Sequence, residues 1–488
     1  MRWYLQLVLK THQMKNLIIA LIIAFALNTK ALANDVVNYG SFGNVAIYKP
    51  TGTPKAFVLF ISGDGGWNQG VVDIAKNIAN QGAMVAGVNI LSYYRNTKKL
   101  NVKCYYPASD FENLSLEIQK RYHFPNYFKP ILVGYSSGAT LVYGALAQAP
   151  ANTFKGAVVM GFCPDIKLDK TLCNGTALTT KVLKPGKSFY LNPSEKLTAP
   201  FIVLQGLKDL DCPFADAIKY GKEVNAEQLI GLPKVGHGFS VTKNWLPQFS
   251  TAYTKIQNTP TYAERKTIEN KGNQPKNFQT YQTDLPLTII HSDTKESLPL
   301  AFMISGDGGW TSFDQELGEQ FSKNGIPVIG LDAQSYFWNA KTPQKSALDI
   351  SNAINHYMKQ WNKKSFILVG YSFGASVIPF IANNFPDELK EKIKGVYSLS
   401  PDETADFEIH LLDMISVHSI EKYNVIAEIS RIKSLNPVCF FGNEESETVR
   451  KKFEAAESKV IVLPGNHHFD NGFGAIVENV LRVYNSIK

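Results

Sequence analysis

Two serines in this 488-residue chain stand where a serine can do chemistry: Ser136 in Gly134-Tyr135-Ser136-Ser137-Gly138 and Ser372 in Gly370-Tyr371-Ser372-Phe373-Gly374. Each lies in a G-x-S-x-G pattern directly after an apolar run, Ile131-Leu132-Val133 or Ile367-Leu368-Val369. A strand-to-helix turn at this spacing is so tight that glycines must flank the serine, whose hydroxyl is then held exposed above a sheet. A hydroxyl at neutral pH is a poor nucleophile. It needs a base, and the base needs a carboxylate to orient it.

Behind such a turn the partners follow in the order serine, acid, histidine. The first half offers Asp209 after Leu204-Gln205-Gly206, with Asp211 as a competitor that could instead cap a helix, and then His237 in Gly236-His237-Gly238-Phe239. The second half offers Glu444 and Glu445 after Phe441-Gly442, and then the pair His467-His468 before Phe469. Ser136 to Asp209 and Ser372 to Glu445 both span 73 residues, which favours Glu445 over Glu444. The H-x-F register of His237 and Phe239 selects His467 as the base. A count from Leu463-Pro464 against Leu232-Pro233 selects His468, so both stay in the candidate set.

A developing oxyanion needs backbone donors. Gly306 or Asp307, in Ser305-Gly306-Asp307-Gly308-Gly309-Trp310, is expected to supply one and the Phe373 amide the other; Gly63 or Asp64 and Ser137 are the first-half counterparts. The alternative is that these aspartates cap the following helix and the glycines only make the turn. Trp310 and Trp67 are candidates for either a substrate wall or the core.

These motifs need a scaffold that presents them twice. Phe60 to Trp67 returns as Met303 to Trp310, and Val133 to Ala139 returns as Val369 to Ala375, at offsets of 243 and 236 residues. A third echo, Gly156 to Asp165 against Gly395 to Asp402, follows in the same order. The chain is therefore read as a tandem duplication. Short β-branched runs alternate with helical spacing in each half, so each is expected to be an α/β domain: a mostly parallel sheet with helices on both faces. Residues 34–257 and 283–488 are the expected domains, joined by a polar linker at 258–282.

Composition narrows the function classes. With 44% apolar and 19% charged residues, the chain is neither disordered nor fibrous. Of its net charge of +8, four positive charges fall in the first 33 residues, and no Lys/Arg-rich run suggests nucleic acid. Lys15, the apolar run Leu17 to Leu27 and Ala31-Leu32-Ala33 make a secretory signal the expectation, cleaved near Ala33, with Met14 an alternative start. Export to an oxidising compartment would let cysteines pair. Cys163 with Cys173 is the expected bridge, and Cys439 stands alone. No closely spaced Cys/His set suggests a metal, so neither metal nor cofactor is expected.

The two ISGDGGW segments, the two GYSxGA turns and His467-His468-Phe469-Asp470 resemble the AcvB/VirJ bacterial virulence-protein family, in particular its longer two-domain members. That resemblance implies an α/β-hydrolase fold and a periplasmic serine ester hydrolase that removes lysine from lysyl-phosphatidylglycerol at the membrane surface, with Ser372 as nucleophile. Val377 and Asn466 depart from the pattern expected around the two motifs. A lysyl ester carries two positive groups, so acids are expected near the site: Asp332 first, then Asp314, with Asp402, Asp406 and Glu408 nearby. Helix capping is the alternative role for Asp332. Competing readings are a generic periplasmic esterase or lipase, and a non-catalytic lipid- or protein-binding accessory of virulence secretion. Ser136, Asp209 and His237 form a second candidate catalytic set.

Overall fold

The computed structural model describes residues 35–272, 281, 283–292, 298–410 and 423–486, so the expected signal at 1–33 lies outside the described residues. Two sheets organise the chain. The first runs, in spatial order, Asp35–Tyr39, Gly43–Tyr48, Ala83–Val88, Ala56–Ile61, Ile131–Tyr135, Gly156–Met160, Phe201–Gly206 and Gln228–Leu232. The second runs Leu287–Ile290, Val328–Leu331, Leu300–Ile304, Phe366–Tyr371, Ile393–Leu399, Pro437–Gly442 and Lys459–Leu463. It repeats the first strand for strand, lacking only the outermost one.

In each sheet the strands are parallel beyond the antiparallel entry at one edge. Both faces are covered, and the strand residues divide between two cores with a period of two. Phe57, Leu59 and Ile61 pack on one side while Val58 and Phe60 pack on the other. Leu300, Phe302 and Ile304 are separated from Ala301 and Met303 in the same way. The fold is thus a duplicated α/β-hydrolase arrangement.

Two details add to or correct the sequence expectations. The polar stretch expected as a linker contains a helix, Tyr262–Gly272, whose Arg265 donates to Thr198 O at 3.0 Å. The disulfides are Cys104–Cys173 and Cys163–Cys212 rather than Cys163–Cys173; Cys439 is free and buried. Pairing follows from which loops meet over the sheet, and sequence nearness does not report that.

The halves also interpenetrate. Trp338 of the second half is 1% exposed within a first-half core, donating its indole N–H to Phe124 O at 2.8 Å. Lys120 lies over its ring, 4.4 Å from the centroid. Among the described residues no helix is long and apolar enough to cross a membrane.

Candidate active site

The nucleophile turns form because glycine is sterically required. A Cβ on Gly374 would lie 2.2 Å from Ile304 O, and one on Gly138 would lie 2.4 Å from Ile61 O. The elbow helices therefore pack against the neighbouring strand ends only with glycine there. Ser136 and Ser372 take φ of 54° and 51°, a left-handed conformation that non-glycine residues seldom adopt. Strain of this kind clusters at functional sites, which makes both serines candidates.

In the first half the expected series is fully connected. Ser136 Oγ lies 2.8 Å from His237 Nε2, and His237 Nδ1 lies 2.9 Å from Asp209 Oδ2. The Asp209 carboxylate also accepts from Gln205 Nε2 and from the backbone N–H groups of Asp211 and Cys212. Asp211 is therefore a loop residue beside the carboxylate. Asp209, Asp211 and His237 bring ligand-type atoms within 4.8 Å of one another, but Asp209 and His237 are already bonded in the serine chain.

In the second half Glu445 takes the carboxylate position. Its Oε1 lies 3.0 Å from His467 Nδ1, while Oε2 accepts from Ser400 Oγ at 2.8 Å and Gly442 N–H at 2.6 Å. His468 is directed elsewhere, its Nδ1 2.6 Å from the Tyr371 hydroxyl. Among the described residues no hydrogen bond joins Ser372 Oγ to either imidazole, so this half has the acid–histidine pair without the serine link. The residue beside the acid is thus His467, which agrees with the H-x-F register.

Electrostatics separate the two histidines further. Burial works against charge on His467, but the bonded Glu445 carboxylate, with Asp402 and Asp307 behind it, outweighs burial and raises its pKa above the ordinary imidazole value. Burial and the neighbouring His467 lower that of His468. Burial alone would raise the Glu445 carboxyl, yet His467, the Gly442 N–H and Ser400 bring it below the usual value. A base that can hold a transient positive charge beside a committed carboxylate is what proton transfer from a serine requires.

The Gly-Asp-Gly-Gly loops lie against the nucleophiles. A Cβ on Gly306 would come 3.6 Å from Ser372 Cβ, and one on Gly63 would come 2.9 Å from Ser136 Cβ. Asp307, Gly308, Ser372 and Phe373 share the wall of a cleft of about 690 Å³. Gly306, Asp307 and the Phe373 amide are therefore near the space where an oxyanion would form.

The expected substrate acids are placed differently. Asp332 caps the short helix Ala333–Tyr336, accepting from Ser335 N–H at 2.9 Å, and its carboxylate lies under Gly309. Asp314 closes a capping box with Thr311 and is 1% exposed; burial pushes its carboxyl up to about 7 despite the Thr311 hydrogen bonds. Trp310 is fully buried, stacked under Gly330 with its indole donating to Gln315 Oε1 at 3.0 Å. It is a core residue, with no face toward the cleft. The T-x-x-D spacing of Thr311 and Asp314 is the signal for the cap. The acids that do line the cleft include Asp402, Asp406 and Glu408, and Glu112 of the first half, which sequence reasoning missed.

Comparisons with solved structures give Est1E from Butyrivibrio proteoclasticus, 12% identical over 46% of this chain and 98% of that one, with a TM-score of 0.31. The esterase domain of a Rhodothermus marinus protein is 15% identical over 46% and 98%, TM-score 0.32. Pyrococcus horikoshii acylaminoacyl peptidase is 14% identical over 48% and 43%, TM-score 0.36. No curated protein matches the chain. The family model for the bacterial virulence protein VirJ matches residues 55–162 and 299–487, covering parts of both halves. With more than half of its length matched, including both nucleophile turns, the chain belongs to the VirJ family of bacterial virulence proteins.

Proposed function

We propose that this protein is a periplasmic serine hydrolase that cleaves the lysyl ester of lysyl-phosphatidylglycerol, releasing lysine and phosphatidylglycerol. The observation that carries this reading is the acid-rich cleft shared by Ser372 and the Gly-Asp-Gly-Gly loop, with the Glu445–His467 pair set beside it.

In the proposed reaction Ser372 Oγ attacks the lysyl carbonyl carbon as His467 takes the hydroxyl proton. Backbone N–H groups of the Gly306–Asp307 segment and Phe373 hold the negative oxygen. His467 returns the proton to the glycerol oxygen as the ester bond breaks. Water then attacks the acyl-serine carbonyl, giving its proton to His467, and lysine leaves as Ser372 regains a proton. Glu445 keeps the imidazole oriented and balances its charge. Ser372 and His467 must draw together when substrate enters, as catalytic hydrogen bonds often do.

The test is release of lysine from vesicles containing lysyl-phosphatidylglycerol. Ser372→Ala is expected to lower kcat by roughly 10⁴-fold or more, whereas Ser136→Ala leaves most of the activity. Unimpaired release by Ser372→Ala defeats the assignment. A second reading has its own support: the bonded Ser136–His237–Asp209 series makes the first half a candidate hydrolytic centre. Loss of turnover in Ser136→Ala alone would favour it.

A further inference from the structure

The helix Pro107–Arg121 belongs to the first half by its packing, with Phe111, Leu114 and Ile118 buried in a first-half core. Its start is fixed twice. Cys104 is bonded to Cys173, and Gln148 Oε1 accepts from the Ala108 N–H at 3.2 Å. The opposite face behaves otherwise. Ser109, Glu112, Asn113 and Leu116, at the i, i+3, i+4, i+7 spacing of one helical stripe, all line the cleft that holds Ser372. One turn further on, Lys120 continues the stripe to an ion pair with Glu408 of the second half at 2.7 Å.

A second first-half cation braces the same contact. Lys129 donates to Gly308 O at 3.0 Å and to Gln334 Oε1, tying the loop beside the nucleophile to the first half.

The charges in the cleft do not cancel. Glu408 is matched by Lys120 and Glu403 by Lys452 at 2.6 Å, while Asp406 shares a hydrogen bond with the His410 ring at 2.9 Å. Among the described residues Glu112, Asp307 and Asp402, all on the cleft wall, make no direct ion pair, and the one buried Lys129 ammonium is shared between Glu112, Asp307 and Asp332. Glu112 is partly exposed at the cleft, yet its Oε1 is shut off from solvent. Gln334, a cleft residue only 1% exposed, faces the same carboxylate, and its side-chain amide helps hold that carboxyl down against the effect of burial. Glu112 and Gln334, from opposite halves, thus present an acceptor and a donor side by side at the cleft.

We infer that the Ser372 cleft is a composite site, in which the Ser109–Leu116 stripe of the first half reads the acyl group and Glu112 accepts an ammonium of a cationic aminoacyl ester. This rests on the hydrolytic reading above and adds what selects the substrate. The first half thereby serves as the specificity wall of the second. Gln334 supplies a donor next to that carboxylate, suited to an oxygen of the same ligand.

The test is calorimetric binding of lysinamide, and of its fully N-acetylated neutral counterpart, to the mature chain carrying Ser372→Ala. Lysinamide is expected to bind at least ten-fold tighter. Adding Glu112→Gln should cut that preference five-fold or more, and Glu112→Asp should restore part of it. Asn113→Lys, which places a positive charge on the same stripe, is a second variant and should also weaken lysinamide binding. A preference that survives both Glu112→Gln and Asn113→Lys overturns the inference, as does equal weakening of the two probes. The two readings fail separately. Glu112-dependent lysinamide binding, together with lysyl-lipid hydrolysis undiminished by Ser372→Ala, would keep the composite site and remove the hydrolytic assignment. Hydrolysis that needs Ser372 but is indifferent to Glu112 would do the reverse.

Discussion

The two halves carry the same sheet order and the same elbow, but their chemical groups are tied differently. In the first, serine, histidine and aspartate form one unbroken hydrogen-bonded chain, with the Asp209 side chain fully buried and His237 21% exposed. In the second, the carboxylate is a glutamate 18% exposed and His467 is 40% exposed, with no bond to the serine. The elbow tyrosines differ as well. The Tyr135 hydroxyl donates to the carbonyl of His237 itself, whereas that of Tyr371 meets the ring of the extra histidine, His468.

The loop after the fourth parallel strand also diverges. In the first half it forms a small three-stranded sheet, Asp165–Ile166, Thr180–Lys184 and Ser188–Leu191. In the second it contributes Asp402, Asp406 and Glu408 to the cleft wall. The bonded serine–histidine–carboxylate series and the acid-lined cleft are therefore separable properties. Duplication has let each copy emphasise one of them.

Three measurements would sharpen or break this contrast. The largest effect is expected from Glu445→Gln, which should lower kcat/KM for the lysyl ester by about 10²- to 10⁴-fold. The base must be neutral to act, and Glu445 helps raise the His467 pKa. The acid limb of the pH–rate profile should therefore lie above the ordinary imidazole value in the parent and move to lower pH in the variant. If Asp209→Asn produces that loss and shift while Glu445→Gln does not, the roles of the halves are exchanged.

Next in size is Trp338→Ala. Removing a buried indole from the other half's core should cost about 3–5 kcal/mol. Calorimetry should then resolve two melting transitions, and a single unshifted transition would mean that the halves are not coupled through this residue.

The smallest effect is on stability. Burial pushes the Glu112 carboxyl up to about 7 from an ordinary 4.5, with Asp307 adding to the rise and Lys129 and Gln334 opposing it. The native state therefore holds this proton more tightly than the unfolded chain does, so the group costs stability as pH climbs from about 4.5 to 7. Glu112→Gln should stabilise the protein by roughly 1–3 kcal/mol at pH 8 and leave it unchanged near pH 4. A Tm that falls at pH 8 would mean that Glu112 is held there for structural reasons.

The parts legible in the sequence were those dictated by local backbone sterics. The two elbows could be read because Gly138 and Gly374 have no room for a side chain, and the duplicated sheet could be read because its strand runs recur in order. The acid position followed from equal spacing to the serine. Asp332 takes the capping role that was its alternative reading, and Asp314 caps as well, because a carboxylate near a helix start serves the N-terminus as readily as a ligand. The Thr311 capping box was the discriminating clue. The disulfide pairing and the cleft wall were not legible, since both depend on contacts between distant segments. Nothing around Glu112 or Lys129 announces that a residue of one half faces the nucleophile of the other.

The indole of Trp338, rooted in the neighbouring half, has a consequence for how the molecule comes apart. Proteolytic nicking between the two sheets would cut the covalent thread but leave this anchor in place. The fragments should co-elute as a working pair until denaturant is added. Expressing the second half by itself would instead uncover a greasy aromatic and strip the cleft of one wall at the same stroke.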